Sequence, residues 1–306
     1  MKKSMRPCII AVVGPTASGK SDCAVEIARH VHGEVISADS RQVYRLMNIG
    51  TGKITSREMK GVPHHLLDVA SPRRQFTVMQ YQKQAENAIR EIMKRGNTPI
   101  FCGGTGLYID AVLEGWEFPR SAINHRLRKT LEKKSITELF GLLQKLDPAF
   151  AHHVDSNNPR RIIRAIEIIT ETHQPIRPLQ KHPIPYPVII VGIFPGFEML
   201  RKKIRKRLAM RLTQGMIEEI QALHATQGIS WKRLESFGLE YKHVAFFLQE
   251  KCTYENMQQS LESAILHYAK RQMTWFRRKK NIIWFQTPHD ACVGILRPIR
   301  LMKQAH

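Results

Sequence analysis

Residues 9–21 read Ile9-Ile10-Ala11-Val12-Val13-Gly14-Pro15-Thr16-Ala17-Ser18-Gly19-Lys20-Ser21. The first five are apolar and stop at Gly-Pro, the pattern of a short strand buried on both faces of a parallel sheet. Over residues 19–32 the apolar side chains return at helical spacing, as Cys23, Ala24, Ile27, Ala28 and Val31, and Gly33 marks the stop. Between the two, Gly14, Pro15, Thr16, Ala17, Ser18, Gly19, Lys20 and Ser21 fit GxxxxGK[ST]. A strand before and a helix after are the setting that gives this motif its chemistry. Its glycines let backbone N–H groups turn inward around phosphate oxygens. The helix N-terminus adds its dipole, Lys20 a point charge, and Ser21 a hydroxyl ligand for Mg²⁺. Alone, the motif specifies a polyphosphate and not which one.

Working outward, Val35-Ile36 reads as a second strand running toward Asp39. Residues 77–95 read as an amphipathic helix with Met79, Ala85, Ile89, Ile92 and Met93 as candidate core positions, stopped by Gly96. Pro99-Ile100-Phe101-Cys102 reads as a third strand, followed by Gly103-Gly104 and a helix from Thr105. Strands alternating with helices predict an α/β fold, a P-loop NTPase-like parallel sheet covered by helices. In such a sheet the carboxyl ends of the strands line the ligand crevice. Asp39 and Thr105 are therefore expected beside the P-loop. Three roles are open to Asp39: Mg²⁺ ligand, general base, or cap of a helix over residues 40–47. Thr105 either caps the next helix or offers its hydroxyl to a phosphate oxygen.

Near Pro119 the pattern becomes helical only, over roughly 122–134, 136–146 and 158–171. Pro175, Pro178, Pro183, Pro185 and Pro187 then break the chain, and residues 188–194 read as a buried strand again. Helices and a short strand at 282–285 follow. The economical reading is a helical insertion, 119–186, within one α/β core made of 1–118 and 187–306. Two consecutive domains are the alternative, and the returning strand argues against them.

The 306 residues carry 48 Lys+Arg against 26 Asp+Glu, a net charge of +22, and 42% hydrophobic residues rule out a wholly disordered chain. Such an excess points to an anionic partner. Cations gather as Arg201-Lys202-Lys203 with Arg205-Lys206-Arg207 and Arg211, as Arg160, Arg161 and Arg164, and over 270–280, where Trp275 and Phe276 are interleaved. Cations with aromatic rings suit RNA, the rings either stacking on bases or packing on the core. Five dispersed cysteines give no zinc spacing and no disulfide framework, which suits the cytosol. The apolar run at 9–13 is too short for a signal-peptide core or a membrane span, and no other stretch approaches 18 apolar residues. The expectation is a soluble, cytoplasmic protein with no membrane partner.

With these segments in view the chain resembles the tRNA dimethylallyltransferase (IPP transferase) family, from about residue 8 to 285. The resemblance rests on Gly14-Pro-Thr-Ala-Ser-Gly-Lys-Ser21, Ile36-Ser-Ala-Asp-Ser-Arg-Gln-Val-Tyr44 and Asn48-Ile-Gly-Thr51. It also rests on Pro63-His-His-Leu-Leu-Asp68, Gly103-Gly-Thr-Gly-Leu-Tyr108, Asn158-Pro-Arg-Arg161, Arg164-Ala-Ile-Glu167 and Ala269-Lys-Arg-Gln-Met-Thr-Trp-Phe-Arg277. The chain departs from the family at Thr51-Gly52-Lys53-Ile54 and at His243, which follows Gly238-Leu-Glu-Tyr-Lys242.

The resemblance implies transfer of a dimethylallyl group from its diphosphate to the exocyclic amine of the adenosine 3′-adjacent to a tRNA anticodon. It implies a P-loop that holds the donor's diphosphate with Mg²⁺, though the motif is commonly labelled ATP-binding. Asp39 matches the general base, Thr105 the catalytic threonine and Arg207 the diphosphate-binding arginine. The family's tRNA contacts fall on Asp39, Ser40, Arg41, Gln42, Thr105, Arg128, Arg160, Arg161, Arg164, Gly238, Lys270, Arg271, Gln272, Trp275 and Arg277. The insertion would clamp the anticodon stem-loop, and the chain is expected to act as a monomer. The competing readings are an adenylate dimethylallyltransferase acting on a free nucleotide, a small-molecule kinase, and a non-enzymatic RNA-binding P-loop protein. The insertion, the basic runs and the net charge favour an RNA acceptor.

Overall fold

The computed structural model describes residues 8–119 and 124–304; the basic start of the chain and the first positions of the helix expected from 122 lie outside them. The chain falls into two compact units, residues 1–114 with 183–306, and Gly115–His182.

In the larger unit β1 (Ile9–Val13) leads through the P-loop into α1 (Lys20–Val31), and β2 (Gly33–Ser37) follows. Then come α2 (Ser56–Met59), β3 (His64–His65), α3 (Val78–Lys94), β4 (Thr98–Gly103) and α4 (Gly106–Leu113). The smaller unit holds α5 (His125–Leu131), α6 (Ile136–Leu146), α7 (Pro148–Ala151) and α8 (Pro159–Thr172). The chain returns to the sheet as β5 (Val188–Ile193). It continues through α9 (Phe197–Thr213), α10 (Met216–Ala225), α11 (Trp231–Phe237), α12 (Leu239–Leu248) and α13 (Tyr254–Phe276) to β6 (Ile282–Phe285) and α14 (Pro288–Gln304).

The six strands form one sheet in the order β3-β2-β4-β1-β5-β6, every pair parallel. All five residues of β1 are fully buried, because side chains alternate between two covered faces. Ile9, Ala11 and Val13 enter a core with residues of α3, α4, α9 and α13, while Ile10 and Val12 enter a second core with α1 and α14. Each fully buried Ile or Val contributes about 1.5–3 kcal/mol. On the second face Cys23 and Cys292 touch through their thiols at 3.3 Å, and all five cysteines are reduced.

Several local expectations need correction. His32, not Gly33, ends α1, taking the left-handed conformation at φ 53°, and Gly33 opens β2. Residues 40–47 are turns and not a helix. The two-residue strand β3 is too short to give a sequence signal. In α3, Met79 is 42% exposed and Met93 half-buried, whereas Tyr81 is fully buried, donating to Ser37 O at 3.0 Å and stacking on Tyr108. A hydroxyl with a partner can enter a core that apolar spacing alone assigns to aliphatic residues.

The smaller unit has a core of its own, built from Leu131, Leu139, Leu143, Ile162, Ile166 and Ile169. Asn158 caps α8 by accepting from Arg161 N, with Pro159 in the first turn, where its missing N–H costs nothing.

Candidate active site

Parallel strands all point their carboxyl ends the same way, so the segments after β1, β2, β4 and β5 meet at one edge of the sheet. After β1 the loop turns inward through Gly14 (φ 150°), Ala17 (φ 63°) and Gly19 (φ 90°). Ala17 holds a conformation that L-residues avoid, the kind of strain that collects at ligand loops. Ser18 Oγ is buried there without a hydrogen-bond partner. A buried donor left open in a phosphate-type loop fits an anionic ligand.

After β2 comes Asp39. Its Oδ1 accepts from Arg41 N at 2.9 Å and Gln42 N at 3.4 Å, so it caps the local turn rather than a helix. Its Oδ2 has no hydrogen-bond partner among the described residues. After β4, Gly103 lets the strand end approach the Asp39 turn. A Cβ there would lie 2.1 Å from Ala38 O, so no other residue fits. Thr105 occupies the N-cap position of α4 but makes no capping bond. Its Oγ1 accepts from Ser40 N at 3.0 Å, which ties the β4 loop to the β2 loop and corrects the capping expectation.

From β5 the chain enters α9. Leu200, Ile204 and Leu208 face the core, which turns Arg207 toward the P-loop, where its Nη2 donates to Thr16 Oγ1. Thr16, Lys20, Asp39, Gln42, Gly103 and Arg207 all line one cleft that opens to solvent. Lys20 Nζ donates to Pro15 O at 3.3 Å. Burial pulls the Lys20 ammonium below its ordinary pKa, and nearby Arg207 and Arg211 add to this. Burial, with Arg211 beside it, pushes Arg207 down to about 9. Arg207 still carries its charge at neutral pH, and the crowding of these cations is what an anionic ligand would relieve. Burial likewise pushes the Cys102 thiol up to about 11, which keeps it inert in the cleft wall.

The structure brings Asp39, Ser40, Gln42, Thr105, Arg207 and the P-loop together and places the other expected residues differently. Gln272 is buried. Its Oε1 accepts from Thr16 N at 2.8 Å and its Nε2 donates to Gly104 O at 2.9 Å, so it braces the P-loop instead of facing RNA. Trp275 is half-buried, donates to Asp110 Oδ2 at 2.9 Å and packs on Gly106, and Phe276 is buried. The ring pair seals the core, one of the two readings open to it. Lys270, Arg271 and Arg277 remain exposed, Arg271 beside the Tyr268 ring and Arg277 beside Phe194. Gly238 takes φ 70° between α11 and α12.

Within the smaller unit, Arg128 forks onto fully buried Glu167 at 2.8 and 2.5 Å, and Arg164 reaches the same carboxylate at 3.4 Å. Arg160 and Arg161 are exposed. Among the described residues no group of three or more His, Cys, Asp or Glu is arranged to hold a metal ion, and no helix is long and apolar enough to cross a membrane.

Sequence reasoning missed two participants. Arg211 and Glu240 are both buried and paired at 3.4 Å, and nothing in sequence spacing distinguishes a buried ion pair from two surface charges.

A family model described as IPP transferase matches residues 42–279. The tRNA dimethylallyltransferase 2 of Trichlorobacter lovleyi is 42% identical over 304 residues, 98% of each chain. The tRNA dimethylallyltransferase of Bacillus cytotoxicus is 34% identical, covering 98% of this chain and 96% of that one. The crystal structure of a tRNA isopentenylpyrophosphate transferase from Bacillus halodurans superimposes with a TM-score of 0.72 at 36% identity, covering 98% of both chains. A eukaryotic dimethylallyltransferase solved acting on tRNA shares the fold, with a TM-score of 0.77 at 24% identity over 96% of this chain and 78% of that one.

Proposed function

The chain belongs to the IPP transferase family, and from that premise we propose how its cleft transfers a dimethylallyl group from dimethylallyl diphosphate to tRNA. The acceptor is the exocyclic N6 amine of the adenosine 3′-adjacent to the anticodon. That amine is a poor nucleophile because its lone pair is delocalised into the ring. The donor is a good electrophile only when the charge on its leaving group is stabilised.

The P-loop amides, Ser18 Oγ and Lys20 cradle the diphosphate, and Arg207 closes on it from α9. These donors are fixed before the reaction, so they stabilise the developing charge without reorganising. Thr105 offers its hydroxyl to the same group, held in place by Ser40 N. Asp39 takes the amine proton through its open Oδ2 as the N6–C1 bond forms and the C1–O bond to diphosphate breaks. A base so placed contributes about 10²–10⁴-fold. Ser21, which lines the cleft beside Lys20, would hold Mg²⁺ together with diphosphate oxygens and water, a donor set that suits the ion. When bound, the ion neutralises charge on the diphosphate.

Exposed cations offer contacts to tRNA phosphates: Lys270, Arg271 and Arg277 at the end of α13 in the larger unit and, separately, Arg160 and Arg161 on the insertion. The adenosine must leave its stack to enter, at a cost of about a few kcal/mol offset by those contacts. The reading takes the chain as a cytoplasmic monomer. The observation that carries it is the juxtaposition of one open carboxylate oxygen with the Lys20–Arg207 cationic pair in a single cleft.

The test offers labelled dimethylallyl diphosphate with tRNA, with AMP or with no acceptor, and labelled ATP in parallel. Label appearing in tRNA alone supports the reading. Label in AMP, or phosphoryl transfer from ATP, would overturn it.

A further inference from the structure

Four cations gather at the cleft: Lys20 and Arg207 line it, Arg211 lies beside both, and Arg41 shares a carboxylate with Arg211. Two carboxylates lie among them, Asp39 and Glu240. Glu240 opens α12 and is 5% exposed. Its Oε2 pairs with Arg41 Nη1 at 3.2 Å and its Oε1 with Arg211 Nη1 at 3.4 Å. Arg211 is itself buried, reaches Gly50 O at 3.5 Å, and lies so close to Gly52 that a Cβ there would sit 1.5 Å from its Nη2. Arg41 lies over the Tyr268 ring at 5.5 Å.

These two arginines belong to the two halves of the proposed chemistry. Arg41 is two residues past Asp39, and its own N–H already bonds Asp39 Oδ1. Arg211 is one helical turn past Arg207 on α9. One buried carboxylate therefore joins the turn carrying the base to the helix carrying the diphosphate contact. It also occupies both guanidiniums. Without it, the remaining carboxylate of the group is Asp39, whose Oδ2 is open and within a two-residue reach of Arg41.

We propose that Glu240 is a positioning residue for the transfer, holding Arg41 and Arg211 so that Asp39 Oδ2 stays free for the acceptor and Arg207 meets the diphosphate. The proposal rests on the assignment of Asp39 as base and Arg207 as diphosphate contact. With Glu240 neutral, Arg41 swings onto Asp39 and occupies the oxygen that should take the proton. Arg211 loses its counter-charge and repels Arg207 along the helix. Glu240 touches neither substrate in this account; it acts through the two arginines.

The experiment compares kcat and both KM values, each substrate varied with the other saturating, for the full chain and for Glu240→Gln, Arg41→Met, the double variant and Asp39→Asn. Glu240→Gln keeps the shape and removes the charge. Its kcat should fall about 10- to 100-fold, the scale of a misplaced reacting group, with donor KM changed by no more than about three-fold. Adding Arg41→Met removes the intruding guanidinium, so the double variant should return to within about three-fold of Arg41→Met alone, a strongly non-additive result. A merely structural Glu240 would lower the melting temperature and show no such rescue.

Wild-type kcat in Glu240→Gln, or strictly additive losses in the double variant, would overturn the proposal while an inactive Asp39→Asn leaves the base assignment standing. Wild-type kcat in Asp39→Asn would overturn the base assignment and the proposal with it. If Glu240→Gln does not fold, Glu240→Gln with Arg211→Gln leaves no unpaired buried charge and still releases Arg41. The same Arg41→Met rescue is then read in that background.

Discussion

At the scale of single residues, Asp39 and Arg207 divide the work of the cleft, and their substitutions should separate. Asp39 keeps one carboxylate oxygen on the Arg41 and Gln42 amides and the other open. Asp39→Ala should lower kcat about 10²–10⁴-fold, the range for loss of a general base, while isothermal titration with diphosphate shows unchanged affinity. Arg207 stands on the P-loop at Thr16. Arg207→Ala should weaken diphosphate binding about 10- to 100-fold, the value of a hydrogen bond to a charged group, and slow transfer as well. The same titration checks it. Asp39 was legible in sequence because it follows a strand of the sheet; Arg207, one of several cations on its helix, was singled out only by the family resemblance. Glu240 and Arg211 were not legible, because a buried ion pair is made between elements far apart in sequence and leaves no local pattern.

At the scale of elements, α13 supports the P-loop from behind. Gln272 spans Thr16 N and Gly104 O, two backbone groups that would otherwise lose their partners. Gln272→Leu should destabilise the protein by about 1–3 kcal/mol, read from the denaturant midpoint, and weaken diphosphate binding, since each orphaned backbone group carries a desolvation cost of that size. The other end of β2 carries a different device. Glu34 is buried against Arg95, Asn97 and His65 at 2.6–2.9 Å. Burial alone would raise its pKa, but hydrogen bonds from Arg95, then Asn97 and His65, outweigh it and hold the carboxyl at about 2 against an ordinary 4.5. A depressed carboxyl stabilises the fold fully above its ordinary value, and that stabilisation is lost as pH falls through the folded value. The loss should reach about 3 kcal/mol at most, since a tenfold change in proton affinity is worth about 1.4 kcal/mol. Thermal melts of wild type should therefore fall between pH 4.5 and about 2 more steeply than those of Glu34→Gln.

At the scale of the whole molecule, the net charge of +22 is divided between inward and outward cations. Arg128 and Arg164 are spent on Glu167, so the arginines grouped with Arg160 in sequence do not act alike. Arg160→Gln with Arg161→Gln should weaken tRNA binding and make its salt dependence shallower by about 1.4–1.8 log units per log unit of salt, at about 0.7–0.9 per contact. Diphosphate affinity and melting temperature should stay as in wild type. Arg128→Ala should do the reverse in kind, unfolding the smaller unit at lower temperature, because fully buried Glu167 would keep only its 3.4 Å contact with Arg164; the loss should stay below the about 3–5 kcal/mol of a wholly unpaired buried carboxylate.

The α/β sheet, the position of the P-loop, and the placing of Asp39 and Thr105 at strand ends could all be read from sequence. The physical reason is that each depends on short-range signals: apolar runs, helical spacing, breakers and a motif with fixed contacts. The bounds of the elements were less certain, since a left-handed His32 ends a helix as well as a glycine does. The fates of the side chains belonged to tertiary structure. Gln272 and Trp275 sit in a basic run that suggests an RNA-facing surface, yet α13 turns them inward onto the P-loop and α4. The pairing of Arg164 with Glu167 could be read from their spacing of three on one helix, but that Glu167 is fully buried and also takes Arg128 was decided by packing. A charge is the same letter in the sequence whether it is solvated, paired or aimed at a ligand; its environment is a sum over distant neighbours, which only the folded chain assembles.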